Sequence, residues 1–271
     1  MPPLFLPLYP LSISPCPLLS VDFFVMNQST LYTPEELLAV TIAREVHDFE
    51  TIGVGAVSPI PAAGCILAKH MNAPHITLII LDSDEYYPFP AGSSELHFMA
   101  QRGELDLFFL SGIQIDRRGN FNLHVIGNYN SPTVRMAGAY GSAMLYYMAH
   151  RVILFRDQHT KRVFVEKVDF VTGAGVTPEN VYREGGPALV ITPKAVLAWD
   201  KTAGEWRLDK FQPGSSVEDV KDNTGFALPV SPSVYMNSEP TAEELRILRT
   251  VVKEKMARSY PTFAREKMLK T

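Results

Sequence analysis

Cysteine is scarce in this chain. Cys16 and Cys65 are the only two in 271 residues, too few for a disulfide framework, or for a four-ligand zinc site without several histidines close by. A reducing cytoplasm fits that usage best. The seven histidines, at positions 47, 70, 75, 97, 124, 150 and 159, form no HExxH pattern, so no metal site is expected. Basic charge is also short: 25 Lys and Arg stand against 29 Asp and Glu, a net charge of −4. No basic run is long enough to follow a phosphate backbone, which argues against nucleic acid as a partner. There is no GxxxxGK loop and no GxSxG elbow, so P-loop and serine-hydrolase chemistry are set aside. Gly53-x-Gly55 opens like a dinucleotide fingerprint, but Ser58 occupies its third position, and only Asp82 could serve as the ribose-binding acid.

What is present is the composition of a folded protein, with 46% hydrophobic and 20% charged residues. Residues 1–25 stand apart, being apolar, rich in proline (six) and carrying Asp22 as their one charge. They lack the positive start of a signal peptide and the uninterrupted apolar stretch of a membrane helix, so neither export nor membrane attachment is expected. They are read as a disordered tail or a start placed upstream of the working protein. Residues 26–271 are read as one domain, since no repeat or flexible linker divides them.

From Thr33 the pattern becomes regular. Thr33-Pro34-Glu35-Glu36 is a capping box with proline at the first helical position, predicting a helix of about 15 residues. Strand-like TIGVGAV (51–57), a helical PAAGCILAKHM (61–71) and the aliphatic run HITLIILD (75–82) follow. The alternation continues with a helix over 93–103, a strand over 105–112, a helix over 140–150 and a strand over 151–155. Aliphatic runs without a polar face mark strands buried on both sides. The predicted fold is therefore α/β: an open, mostly parallel twisted sheet flanked by helices. The second half is β-rich, with 162–173 and 188–200 reading as strand before a last helix over 241–257. Cys65 falls on the apolar face of an Ala-rich helix, where packing explains it better than nucleophilic duty.

Two places look suited to a ligand. Ser111, Gly112, Gln114, Asp116, Gly119 and Asn120 follow a buried strand, where open α/β sheets bind ligands, and glycines there admit close backbone approach. Gly138 and Gly141 precede a helix, whose free N–H groups favour anions. Structural turns and caps would account for the same residues.

The run 105–143, together with KRVFVEKVDFVTGAG (161–175), resembles the B-type subunit of heterodimeric class I CoA-transferases of the glutaconate CoA-transferase type. Gly112, Gln114, Asp116, Gly119, Asn120 and Asn122 match its G-x-Q-x-D-x-x-G-N-x-N run. Arg162, Phe164, Val165, Glu166, Val168, Asp169 and Thr172 match the segment after its glycine-rich helix start, and the likeness spans roughly 34–255. The resemblance implies an A-type partner subunit, in a heterodimer or heterotetramer. It also implies an acyl-CoA thioester as substrate, with no bound cofactor, and Gly53, Gly55, Gly138 and Gly141 among the substrate-contacting positions.

The family's catalytic glutamate lies in an E-S-G context at the end of the strand matching HITLIILD, attacking the acyl-CoA carbonyl to form an anhydride and then a glutamyl-CoA thioester. Here the sequence reads Leu81-Asp82-Ser83-Asp84-Glu85, so Asp82 takes that place one methylene short, with Glu85 as the other candidate. Two branches also lack the glutamate: a steroid ring-opening hydrolase with a D-G-E run here, and a decarboxylase with a nearby cysteine. The resemblance thus implies CoA transfer between carboxylic acids, or hydrolysis or C–C cleavage of a CoA-linked keto acid. The alternative is a supporting subunit whose A-type partner carries the catalytic glutamate.

Overall fold

A computed structural model describes residues 31–183 and 185–269; the proline-rich 1–25 segment lies outside them. The capping box forms as the sequence predicts. Thr33 Oγ1 accepts from the Glu36 N–H, and the Glu36 carboxylate accepts from the Thr33 N–H, opening α1 (Pro34–Arg44). The chain then alternates through β1 (Thr51–Val54), α2 (Pro59–Met71), β2 (Thr77–Ile80), α3 (Ser94–Gln101) and β3 (Leu107–Leu110). Four short strands follow, β4 (Gln114–Asp116), β5 (Phe121–Asn122), β6 (Val125–Asn128) and β7 (Ser131–Arg135), before α4 (Ser142–Met148) and β8 (Arg151–Phe155). The second half holds β9 (Phe164–Val165), β10 (Pro187–Ile191), β11 (Ala195–Asp200), β12 (Glu205–Phe211), α5 (Val217–Asp222) and β13 (Val230–Met236). It closes with α6 (Ala242–Ile247), a π-helical turn over Leu248–Val252, α7 (Lys253–Ser259) and α8 (Pro261–Glu266).

Eight strands make the main sheet, in the order β13-β12-β11-β10-β8-β3-β1-β2. β2, β1, β3, β8 and β10 are mutually parallel, and within this sheet β11 alone reverses direction. The pleat sends alternate residues to opposite faces, so each aliphatic run serves two cores. Leu107 and Phe109 of β3, with Ile153 and Phe155 of β8, pack with α1, α2 and the C-terminal helices. Phe108, Leu110, Val152 and Leu154 pack on the other face with α3 and α4. Each such side chain, fully buried, contributes about 1.5–3 kcal/mol, which explains why these strands tolerate no polar face.

Several elements are shorter than the sequence patterns. TIGVGAV stops pairing at Val54, because Val57 turns the chain with φ +54°. Within 162–173 only Phe164–Val165 forms a strand; the Val168 N–H instead donates to Asp116 and the Asp169 carboxylate accepts from the Gly127 N–H. The last helix is interrupted by its π-helical turn, which carries Arg249. That guanidinium grips the buried Glu36 carboxylate through Nε and Nη2, each at 3.0 Å, and Leu269 N–H donates to the same carboxylate. A buried charge is tolerated only when paired and hydrogen-bonded in this way, and the pair ties the end of the described chain to α1. Cys65 is wholly buried in α2, and burial pushes its thiol far above the usual range. Among the described residues no helix is long and apolar enough to cross a membrane, and no cluster of His, Cys, Asp or Glu is placed to hold a metal.

His159 is buried between two threonines, its Nδ1 2.9 Å from Thr192 Oγ1 and its Nε2 3.0 Å from Thr224 Oγ1, with Phe164 stacked on its ring. Burial, reinforced by the Lys194 charge, lowers its pKa to about 4. The unfolded chain therefore binds a proton that the folded one refuses. Stability is full above about pH 6.5 and falls toward pH 4, by on the order of 3 kcal/mol. Chemical denaturation followed from pH 7.5 to 4.5 is expected to show this slope, and His159→Gln to flatten it; an unchanged slope in the variant would refute the assignment.

Candidate active site

The strand order contains one reversal of direction. From β1 the chain steps to β2 on one side, then returns through α3 to β3 on the other, so the connections after β1 and β3 leave on opposite faces. Such a switch point opens a crevice at the carboxyl ends of the strands. A cavity of about 650 Å³ lies there. Its walls include Gly55 to Ile60 after β1, Leu81 and Asp82 after β2, Leu110 and Ser111 at the end of β3, and Phe155 to Asp157 at the end of β8. Gly138 to Tyr140, ahead of α4, and His97 on α3 complete it.

Asp82 is held at this strand end from two directions. Its Oδ2 accepts a short hydrogen bond from the Val57 N–H and another, 3.2 Å long, from the Tyr260 hydroxyl. Burial and the Asp82 carboxylate both push the Tyr260 phenol upward, so it stays a donor. Asp82 Oδ1 has no hydrogen-bond partner among the described residues. Val57 and Tyr140 are two of the three non-glycine residues with positive φ among those described, and both line the cavity. A β-branched residue in this region is strained, and at Val57 that strain aims an N–H at the carboxylate. Other polar groups of the cavity include the Arg156 guanidinium, the Asp157 carboxylate, His97, and a Ser93–Tyr140 hydroxyl pair at 2.5 Å.

The residues singled out in the sequence divide sharply. Asp82, Gly55, Ser111 and Gly138 line the cavity. Glu85 does not: Lys255 hydrogen-bonds it, Arg258 lies 3.7 Å away, and these cations hold its carboxyl below the usual range. Gly53 sits inside β1, where a side chain would meet the Phe108 ring at 2.7 Å. Gly141 caps α4 in the left-handed region and lies against His97.

The Gln114–Asn120 loop, expected to face a ligand, lies outside this cavity. Asp116 is buried and accepts from the N–H groups of Arg118, Asn120 and Val168 and from the Asn120 side chain. Burial nevertheless raises its carboxyl, against the pull of those bonds. Gln114 spends its amide on Asp169 and Asn122, and Asn120 accepts from the Gly175 N–H. Gly112 is crowded by its own turn, with the Gln114 carbonyl 2.9 Å from where a Cβ would stand. These residues brace β4, β5 and β9 rather than the cavity. The residues that sequence reading missed are Arg156 and Tyr260. Arg156 stands one position past a buried strand, as Ser111 does, so the same rule would have found it; nothing local marks Tyr260.

Comparison with known proteins shows the family of the chain. Residues 86–223 match the Coenzyme A transferase family. The chain is 32% identical over 254 residues, 83% of its length and 94% of the relative's, to the B-type subunit of glutaconate CoA-transferase from Acidaminococcus fermentans. It is 35% identical over 143 residues, 51% of its length and 56% of the relative's, to the IpdB subunit of a cholesterol ring-cleaving hydrolase of Rhodococcus jostii. The crystal structure of the A. fermentans glutaconate coenzyme A-transferase superposes with a TM-score of 0.75 at 26% identity, covering 84% of this chain and 98% of that one.

Gly119 adopts φ +73°, and a Cβ there would stand 2.8 Å from the Trp199 ring. Gly119→Ala is therefore expected to destabilise the protein by about 1–3 kcal/mol, measured by chemical denaturation. A variant as stable as the parent would return Gly119 to a ligand-facing role.

Proposed function

Because the chain belongs to the coenzyme A transferase family, as a B-type subunit, we propose that it works with an A-type subunit on an acyl-CoA thioester, whose acyl end enters the cavity beside Asp82. The observation that carries this reading is the Asp82 carboxylate, fixed at the carboxyl edge of the sheet by Val57 and Tyr260, with one oxygen left unbonded among the described residues. Such a group can act in two ways. As a nucleophile, Oδ1 adds to the thioester carbonyl, the C–S bond breaks and CoA leaves as thiolate. That thiolate then adds at the aspartyl carbon of the resulting anhydride, the C–O bond breaks and the donor acid leaves as carboxylate, so that an enzyme thioester remains for an acceptor carboxylate. As a general base, Asp82 takes a proton from water as the oxygen adds to the carbonyl; the C–S bond then breaks, the free acid leaves, and the proton held by Asp82 passes to the CoA thiolate.

The base role gains specific support from reach. Aspartate is one methylene shorter than the family's glutamate, and its carboxylate is drawn toward Val57 and Tyr260. A displaced nucleophile loses about a hundredfold per ångström, whereas a water molecule can span the gap. The relative that is a ring-cleaving hydrolase fits this reading.

The test is co-expression with the A-type subunit, followed by an acyl-CoA panel scored for transfer to a carboxylate acceptor against release of free CoA. If Asp82 is the nucleophile, Asp82→Asn abolishes turnover, and borohydride traps a reduced adduct at Asp82 in the parent complex. If it is the base, no adduct forms and Asp82→Asn slows turnover by about 10²–10⁴-fold. Tyr260→Phe should reduce turnover by a smaller factor in either case, since it frees one of two restraints. Undiminished turnover in Asp82→Asn would sink the assignment.

A further inference from the structure

The loop ahead of α4 walls the cavity and is weakly tied to the fold. Residues 137–141 follow no regular element; they run from Met136, whose N–H donates to the His124 carbonyl, to Ser142, whose N–H and hydroxyl both donate to the Ala139 carbonyl. Three of the five have positive φ: Gly138 at +103°, Tyr140 at +39° and Gly141 at +72°. Glycine adopts that region freely, whereas a tyrosine held there is strained. A Cβ at Gly138 would meet nothing closer than His124 Nε2 at 3.9 Å, so the chain has room to turn about it. Among the described residues, one hydrogen bond joins 137–141 to anything other than α4, that of the Tyr140 hydroxyl with Ser93 Oγ beside α3. Tyr140 is 73% exposed, and its ring meets His97 only edge-on, with centroids 6.1 Å apart.

His97 lies beneath this loop. Its Nδ1 is 3.3 Å from the Ser93 carbonyl, which only accepts, so Nδ1 carries the hydrogen and Nε2 presents a lone pair. That Nε2 is buried without a partner, as Arg156 Nε is elsewhere in the cavity wall. It rests on the bare backbone of Gly141, where a Cβ would stand 2.0 Å from it. The observed position of the loop therefore carries two costs, a left-handed tyrosine and an unpaired buried acceptor, against the single Ser93–Tyr140 bond.

We infer that residues 137–141 are a hinged strap, latched by Tyr140 to Ser93, which swings aside to admit a ligand to the cavity and closes over it. Opening relaxes the tyrosine backbone and lets water donate to His97 Nε2, so both effects favour the open state and closure balances on the latch. Closing restores the wall formed by Gly138, Ala139 and Tyr140 and shields the space beside Asp82 from water. The inference rests on the acyl-CoA reading above only for the identity of the ligand.

The test follows His97 in the complex with the A-type subunit through its modification by diethyl pyrocarbonate, which acylates an accessible imidazole lone pair and is read by peptide mass spectrometry. His47 and His75, whose side chains are 66% and 62% exposed, serve as internal standards. In the parent complex His97 should react more slowly than either. Ser93→Ala and Tyr140→Phe each remove the latch, and Ser93 makes no side-chain capping bond on α3 that its loss would break. Each variant should speed His97 modification by about 3–10-fold, the worth of one hydrogen bond, with His47 and His75 unchanged. Saturating coenzyme A should slow it in parent and variants alike, because the strap then closes on an occupied cavity. Unchanged His97 rates in both variants, a rise shared by all three histidines, or a parent His97 as reactive as His47 would each overturn the strap. Protection by coenzyme A without an effect of the variants would remove the strap and keep the acyl-CoA reading. An effect of the variants without protection would keep the strap and remove that reading.

Discussion

A parallel sheet covered on both faces leaves no face free for chemistry. Every residue of β3, every residue of β8 but Arg151, and Ile52 and Val54 of β1 are committed to one of the two cores, so reactive groups can occupy only the ends of strands. At the carboxyl end the switch between β1 and β3 parts the connecting loops and makes room. The cavity, Asp82 and Arg156 all follow from that one constraint. Their spacing is set by the fixed distance between neighbouring strands rather than by any loop.

This constraint also explains what can be read in the sequence. HITLIILD and LDLFFLSG betray two-sided burial because a strand with no polar positions has no other stable use, and the Thr33–Glu36 box marks a helix start by local bonding alone. Strand ends are less legible. TIGVGAV continues apolar for three residues past Val54, and only the backbone reversal at Val57 tells where pairing stops. Of the small sheet, β9 falls within a run that reads as strand, while β4 and β5 leave no trace, because strands of two or three residues carry no periodicity to detect.

The candidate site is half legible for a related reason. The family resemblance points to Asp82 and the strand-end position to Ser111, but that position points equally to Gln114, Asp116 and Asn120, whose amides and carboxylates look the same in sequence whether they face a ligand or each other. In the fold they face each other, since a tight turn between short strands leaves backbone N–H groups that a buried Asp116 satisfies. Asp82 and Glu85, three positions apart, are separated by partners distant in sequence: Tyr260 draws one carboxylate to the cavity edge, while Lys255 claims the other.

The bond between Tyr260 and Asp82 joins residues 178 positions apart, and this sets an order of events during synthesis. Strands β1, β2, β3 and β8 can all have left the ribosome, and the cavity walls can be in place, while the carboxylate still hangs on the Val57 N–H alone. The Asp82 carboxylate gains its second restraint only when the C-terminal helices emerge and dock, the same step that seals the buried Glu36 with Arg249. A chain cut short before those helices would keep a recognisable sheet and lose the aim of its carboxylate, so maturation of the site and completion of the core are one event.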